Sequence, residues 1–286
     1  MPVSAGKSET VPCVCCGGFV FKPALECEGF SFVRCKRCGL VQRNPQPDKD
    51  EIIARYSSIY GNDYLSYEIK NEAAFLNLQQ LALKDIKFSR QEKILFDRAA
   101  ADRAAAPSVL DIGCATGALL NDLKNRGWRV TGVEISPCAG YARDERKLDV
   151  RCLPLEENNF PAGSFDIVHA SHLIEHLNDP KSFLTETYRI LKNDGHLYVT
   201  TPNISGFQAR IFGHKWRSAI FDHLYLFSAD TLSKMLKTAG FKIKNIRTWG
   251  GLAAGTAPNW LKKPADSLVK YFGCGDVMIF NAVKKN

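Results

Sequence analysis

From residue 108 onward, short runs of β-branched and other apolar residues alternate with stretches whose apolar positions recur every three or four residues. The runs 108–112, 129–134, 165–170 and 196–201 predict strands, and the stretches between them predict helices, which together describe a parallel sheet wound in α/β fashion. One helix carries readable punctuation. Asp179 is its N-cap, Pro180 its first residue, Phe183, Leu184, Thr187, Tyr188 and Leu191 its apolar face, and Gly195 lies beyond its end. A helix at 230–239 stopped by Gly240, a strand near 241–248 and a last strand near 277–283 complete this part. Upstream, Ile52, Ile53, Tyr56, Ile59 and Tyr60, and then Phe75, Leu78, Ala82 and Ile86, recur at helical spacing. The prolines of Asn44-Pro45-Gln46-Pro47 disfavour helix and close a Gly- and Cys-rich opening segment. Three units are expected: 1–47, a helical linker or cap over 48–106, and 107–286.

Composition narrows the class. Hydrophobic residues make up 45% and charged residues 24% of 286, which excludes a disordered or collagen-like chain. No apolar run approaches the ~20 residues of a membrane helix, and the opening residues lack an apolar signal region, so a cytoplasmic protein is expected. The net charge of +8 is unevenly spread. Residues 205–286 hold 13 Lys or Arg against four Asp, a local +9. Such an end favours an anionic ligand, a peripheral contact with an acidic membrane, or simply a solvated face.

Ten cysteines without a secretion signal argue against a disulfide framework. Six lie in the first 38 residues. Cys13-x2-Cys16 and Cys35-x2-Cys38, with 18 residues between the pairs, have the spacing by which four thiolates close a tetrahedron around zinc. Gly17 and Gly39 follow the pairs and supply the backbone freedom of tight turns. Cys27 falls outside this spacing, as does Cys15, which remains a competing ligand. Iron and a redox dithiol are the alternatives. A filled four-thiolate site has no open position, so its metal is expected to be structural.

Val109-Leu-Asp-Ile-Gly113-Cys-Ala-Thr-Gly117 runs from a strand through a glycine loop into a helix, where doubly wound sheets bind nucleotides. Asp111 beside the loop would repel a pyrophosphate and attract an ammonium group. Glu134, at the end of the second strand, is placed to accept hydrogen bonds from ribose hydroxyls. A nucleoside with a cationic tail is called for, and S-adenosylmethionine answers that description.

Residues 107–286 resemble the class I S-adenosylmethionine-dependent methyltransferases. The motifs are VLDIGCATG (109–117), VEIS (133–136), LPLEENNFPAGSFDIV (153–168), HLIEHLNDP (172–180) and LKNDGHLYVTTPN (191–203), extended by GHKW (213–216), HLYLF (223–227) and TLSKMLKTAGF (231–241). One bacterial branch of that family also carries an N-terminal two-knuckle zinc ribbon. The resemblance implies a Rossmann-like seven-stranded sheet with an antiparallel last strand. It assigns Asp111, Gly113 and Gly117 to the methionine end of the cofactor, Glu134 to the ribose, Ile135 and Leu155 to the adenine faces and Glu156 to the adenine edge. Cys114, Ser171 and His172 join the expected cofactor contacts. The family usually has glycine where this chain has Ala115.

On the acceptor side, methyl transfer to a hydroxyl needs alignment and a proton acceptor. His223 and His176 are the expected bases, against structural roles for both, and Arg210, Trp216 and Tyr225 are candidate acceptor contacts. The leading expectation is O-methylation of a small or carrier-linked metabolite such as a sugar, lipid or polyketide-like molecule, with an anionic acceptor as one option. An RNA methyltransferase using the ribbon and the basic end is the first alternative, and a non-catalytic nucleoside-binding protein the second. A nicotinamide dehydrogenase is disfavoured by Asp111.

Overall fold

The structure, a computed structural model, describes residues 8–47, 61–251 and 267–285. The N-terminal segment holds β1 (Ser8–Glu9), β2 (Phe21–Cys27), β3 (Phe30–Cys35), β4 (Val41–Arg43) and β5 (Gln46–Pro47). β2, β3 and β4 form an antiparallel sheet, and β1 pairs with β5. Helices α1 (Gly61–Asp85) and α2 (Phe88–Ala101) follow. Of the apolar face expected here, Ala82 and Ile86 are buried, whereas Leu78 is exposed and Leu83 takes an inward place. The positions 52–60 lie outside the described residues.

The remainder alternates as expected: β6 (Ser108–Ile112), α3 (Ala118–Asn125), β7 (Arg129–Val133), α4 (Cys138–Asp144), β8 (Val150–Arg151), β9 (Phe165–Ser171), α5 (Pro180–Ile190) and β10 (Leu191–Pro202). An excursion through α6 (Phe207–Phe212) and β11 (Tyr225–Leu226) leads to α7 (Ala229–Thr238), β12 (Phe241–Trp249) and β13 (Val277–Lys284). The seven-stranded sheet has the order β12-β13-β10-β9-β6-β7-β8, with β13 antiparallel to both neighbours and β10, β9, β6, β7 and β8 parallel to one another.

Both faces of this sheet are covered, so its strands alternate between two cores. Val109, Ile167, Tyr198 and Ile279 face α1, α2 and α3. Their neighbours Leu110, Val168, Leu197 and Phe280 face α5 and α7. Asp179 caps α5 through its side chain, accepting from the amides of Lys181 and Ser182 at 3.0 Å each. The C-terminal end differs from expectation. Leu191 already belongs to β10, and the ladder shifts register between Leu191 and His196. Gly195 therefore serves close backbone approach rather than helix termination: a Cβ there would lie 2.8 Å from the Lys192 carbonyl oxygen. α7 likewise starts earlier than read, because Ser228 and Thr231 form a reciprocal cap.

The excursion after β10 returns to the N-terminal segment. β11 adds to β4 as a fourth antiparallel strand, and the Arg43 guanidinium lies 3.8 Å over the Phe221 ring while donating to the Phe221 carbonyl at 2.8 Å. Cys13, Cys35 and Leu40 share one buried cluster with Tyr225, Phe227 and the α7 residues. Residues on either side of Pro47 thus build one core.

Candidate active site

β6 ends in a loop that reverses into α3 through three left-handed residues, Gly113 (φ 73), Ala115 (φ 46) and Gly117 (φ 75). A left-handed alanine costs ~1–2 kcal/mol, a strain that glycine would not carry at position 115. Glu134 fixes this loop from the neighbouring strand end. Its Oε2 accepts the Ala115 amide at 2.9 Å and its Oε1 the Ser136 amide at 2.8 Å. Gly117 is needed for packing as well as conformation, since a Cβ would lie 2.6 Å from Leu148 Cδ1.

Gly113, Glu134 and Ser171 meet at the C-terminal edge of β6, β7 and β9, the crevice where such sheets bind ligands. Two neighbours are engaged within the fold. Asp111, expected to meet an ammonium group, is 3% exposed, and its Oδ1 is 2.7 Å from Nδ1 of His169, its register partner on β9. Period-two geometry put both side chains on one face, so one carboxylate oxygen is engaged within the sheet. Cys114 turns its thiol into the core with Leu120 and Ala139 and offers the crevice only backbone. Leu155 is buried, Ile135 is half-buried, and Glu156 and His172 are exposed.

α1 covers the loop with residues that the sequence reading did not single out. Thr116 donates its hydroxyl to Glu72 Oε2 at 2.6 Å, and Arg146 pairs with Glu72 Oε1 at 2.5 Å. One and two turns earlier stand Glu68 and Tyr64. Burial pushes both side chains above their usual pKa ranges, Glu68 and Glu134 adding to the rise at Tyr64, and Glu134 and Glu72 to that at Glu68. The four-residue spacing of Tyr64, Glu68 and Glu72 was the available signal. With Glu72 paired to Arg146, Glu134 and Glu68 remain as carboxylates beside the loop, a lining that suits a cationic ligand and opposes a pyrophosphate.

Beyond β9 a 3-10 turn, Ile174–His176, packs beside the glycine loop: a Cβ on Gly113 would lie 3.4 Å from Leu173. Glu175 in this turn is fully buried. Its Oε2 accepts the Thr201 hydroxyl at 2.9 Å, and Oε1 is paired with His172 Nδ1 at 3.3 Å. Burial raises the Glu175 pKa, but His172, His176 and His223 outweigh it and hold the carboxyl at about 2. The His176 and His223 rings stand edge to face, 4.6 Å between centroids. Each sets its Nδ1 against a backbone carbonyl, Asp222 at 3.0 Å and Ser218 at 2.8 Å. Burial, with His176 alongside, pushes His223 down to about 4 despite Glu175.

Residues 87–245, more than half of the chain, match a family described as a methyltransferase domain. The chain belongs to that family. A Mycolicibacterium smegmatis protein named "Probable S-adenosylmethionine-dependent methyltransferase" is 29% identical over 160 residues, 54% of this chain and 60% of that protein. A ubiquinone biosynthesis O-methyltransferase of Acinetobacter baumannii is 32% identical over 107 residues, 35% of this chain and 45% of that one. The chain thus spans about half the length of these relatives. A SAM-dependent methyltransferase from Archaeoglobus fulgidus shares the fold at a TM-score of 0.53, with 21% identity over 77% of this chain and 99% of its own. One from Thermotoga maritima does so at 0.51, with 23% identity over 74% and 97%.

Outside the matched region of this methyltransferase domain protein, Cys13, Cys16, Cys35 and Cys38 cluster with their sulfurs within 4.8 Å of one another. Cys13–Cys38 and Cys16–Cys35 are 3.4 and 3.5 Å apart, against roughly 3.8 Å for the edge of a tetrahedron with ~2.3 Å zinc–sulfur bonds. The two knuckles repeat one pattern. Gly17 and Gly39 donate to the carbonyls of Cys13 and Cys35, and the Cys13 and Cys35 amides donate to Gly18 and Leu40. A Cβ on Gly18 would sit 3.4 Å from Cys16 Sγ, inside this cradle. Cys15 and Cys27 fall outside the cluster, and Cys27 faces the Ala219 carbonyl.

Two candidate acceptor contacts of the methyltransferase domain are core residues instead. Trp216 is 2% exposed, packs with Phe32, Val41 and Leu226, and donates its indole N–H to Asp276. Tyr225 is equally buried and donates to the Asn178 carbonyl at 3.0 Å. The junction of β11 with the N-terminal sheet consumes both. Arg210 is exposed on α6. In the basic end, Lys270 pairs with Asp85, and Lys262 and Lys263 lie outside the described residues. A groove of about 450 Å³ that includes Lys87, Arg90, Asp194 and His196 opens at the opposite end of the sheet and contains none of the crevice residues. Among the described residues, no helix is long and apolar enough to cross a membrane.

Proposed function

We propose that the protein methylates a hydroxyl of a small or carrier-linked metabolite with S-adenosylmethionine as donor. The observation that carries this reading is the acidic crevice of a methyltransferase domain, in which Glu134 anchors the glycine loop and Glu68 and Glu72 face it from α1. The cofactor supplies an electrophilic methyl group on a sulfonium. Glu134 receives the ribose hydroxyls, Gly113 and Gly117 allow close approach of the loop, Ile135 flanks the adenine, Ser171 and His172 border the methionine end, and α1 excludes water. The carboxylates complement the cationic end of the ligand. Oxygen as acceptor is supported by the O-methyltransferase among the relatives.

Glu175, His176 and His223 form the acceptor side. His223 as a plain general base agrees poorly with burial, since an imidazole pushed down to about 4 is a weak proton acceptor near neutrality. Its Nδ1 carries the proton given to Ser218, which leaves a lone pair on Nε2. Cys13, Cys16, Cys35 and Cys38 hold a structural zinc that joins the N-terminal sheet to the β11 excursion.

An S-adenosylhomocysteine-release screen over nucleotide sugars, lipid and isoprenoid phenols and bulk RNA tests the reading. Turnover with a hydroxyl metabolite is expected. Release with RNA alone would replace the acceptor class, and release with none, together with absent cofactor binding, would overturn the reading.

A further inference from the structure

The sheet face beneath α1 and α2 is apolar at Tyr198 and Ile279, and Phe88 of α2 meets the Tyr198 ring at 5.6 Å between centroids. Two residues further toward the end of the sheet opposite the crevice, the same face carries His196 on β10 and Asn281 on β13. Both are more than nine-tenths buried, at 8% and 5% exposure, and both line the groove of about 450 Å³. Nδ1 of His196 donates to Asn281 Oδ1 at 2.8 Å, which fixes the Asn281 amide with its NH2 group turned from the ring. That group has no hydrogen-bond partner among the described residues. An amide donor held in a nearly buried position without a partner calls for an acceptor from the groove.

The walls of the groove are cationic. Lys87, Arg90, Ile94 and Arg98 recur at three- and four-residue spacing, which sets them along one face of α2, and Lys244 stands opposite on β12. Among the described residues none of these four cations has an ion-pair partner, and Asp194 is the single carboxylate of the lining. The surplus is three positive charges. Burial lowers the His196 pKa and Lys244 adds to the fall, against the Asn281 hydrogen bond and Asp194, so the ring contributes no charge at neutral pH. An organic diphosphate carries about three negative charges there, as many as the surplus. The volume falls in the ~300–1,000 Å³ range of small-molecule sites and exceeds what a lone phosphate fills, and Ile94 and Val283 offer an apolar wall to an organic part.

We propose that this groove binds an organic diphosphate, whose oxygens accept from the Asn281 amide and from Lys87, Arg90 and Lys244 and whose organic part lies along Ile94 and Val283. Such a ligand is opposed by the carboxylates of the crevice, and the groove shares no residue with the crevice, so the site does not rest on the methyl-transfer reading.

Calorimetric titration of the full-length protein with UDP and with geranyl diphosphate probes the nucleoside and prenyl forms of this chemistry. Saturable one-to-one binding of at least one is expected, at least tenfold tighter than inorganic phosphate and unchanged by saturating S-adenosylhomocysteine. Arg90→Ala and Lys244→Ala, both at exposed positions, should each weaken it ~fivefold or more, because each removes a charge-assisted contact. Lys234→Ala, which takes an exposed lysine from α7, should leave it unchanged. Binding of neither diphosphate, equal affinity for inorganic phosphate, competition by S-adenosylhomocysteine, or parental affinity in both groove variants overturns the proposal. Retention of RNA without diphosphate binding overturns it as well and points to a different ligand class. None of these readouts involves turnover, so failure of the methyl-transfer reading is seen separately.

Discussion

The cysteine cluster and the Glu175–His176–His223 cluster both gather side chains distant in sequence, yet the sequence writes them differently. The four cysteines sit in two short turns whose ligand spacing is itself the geometry. The second cluster joins a 3-10 turn after β9 to the start of β11, and only the return of the excursion onto the N-terminal sheet brings His223 to His176. A site made of local turns is legible from spacing, whereas one made by chain crossing is legible only from the fold.

The difference should appear first in stability. Cys35 is 1% exposed within the core shared by the N-terminal sheet and α7, so if the cluster holds zinc as proposed, Cys35→Ser should lose it and lower the melting temperature by ~10 °C or more. His176→Ala, in a half-buried crevice position, should shift it by no more than ~3 °C. Metal analysis and thermal melts check the pair. Equal shifts would mean that the two clusters carry the same structural weight.

A second comparison concerns the excursion itself. Trp216→Ala should cost ~3–5 kcal/mol in denaturant unfolding, because it empties the junction between α6 and the N-terminal sheet. An acceptor-wall role would instead lower turnover with stability kept.

The same contrast explains what could be read in advance. Strand periods and the Asp179-Pro180 cap gave most elements to within a few residues, and the sheet order followed the family resemblance. Gly195 was misread as a helix stop because a bulge and a cap ask for the same residue, and Leu191 on the apparent helix face belongs to β10. In the crevice, the position of Glu134 at a strand end was read, but its grip on the Ala115 amide was not. The hydrogen bond that Asp111 Oδ1 makes with His169 on the neighbouring strand was not read either. Trp216 and Tyr225 looked like pocket walls because aromatic residues in an excursion give no sign of which sheet they will cover.

A smaller effect sharpens the account of the loop. Ala115→Gly removes left-handed strain and should raise stability by up to ~1 kcal/mol, offset in part by added freedom of the unfolded chain. Gly117→Ala should instead destabilise by more than that, since its Cβ would also press on Leu148. Denaturant unfolding of the two variants reads the sign directly.

Calorimetric titration of S-adenosylmethionine into the parent protein and into Glu134→Ala tests the central claim most directly. The account predicts binding by the parent and at least tenfold weaker binding by the variant, because hydrogen bonds to a charged acceptor contribute ~1.5–3 kcal/mol each and the Ala115 amide loses its anchor. Equal affinity of the two proteins, or tight binding of NAD by the parent in place of S-adenosylmethionine, would contradict it.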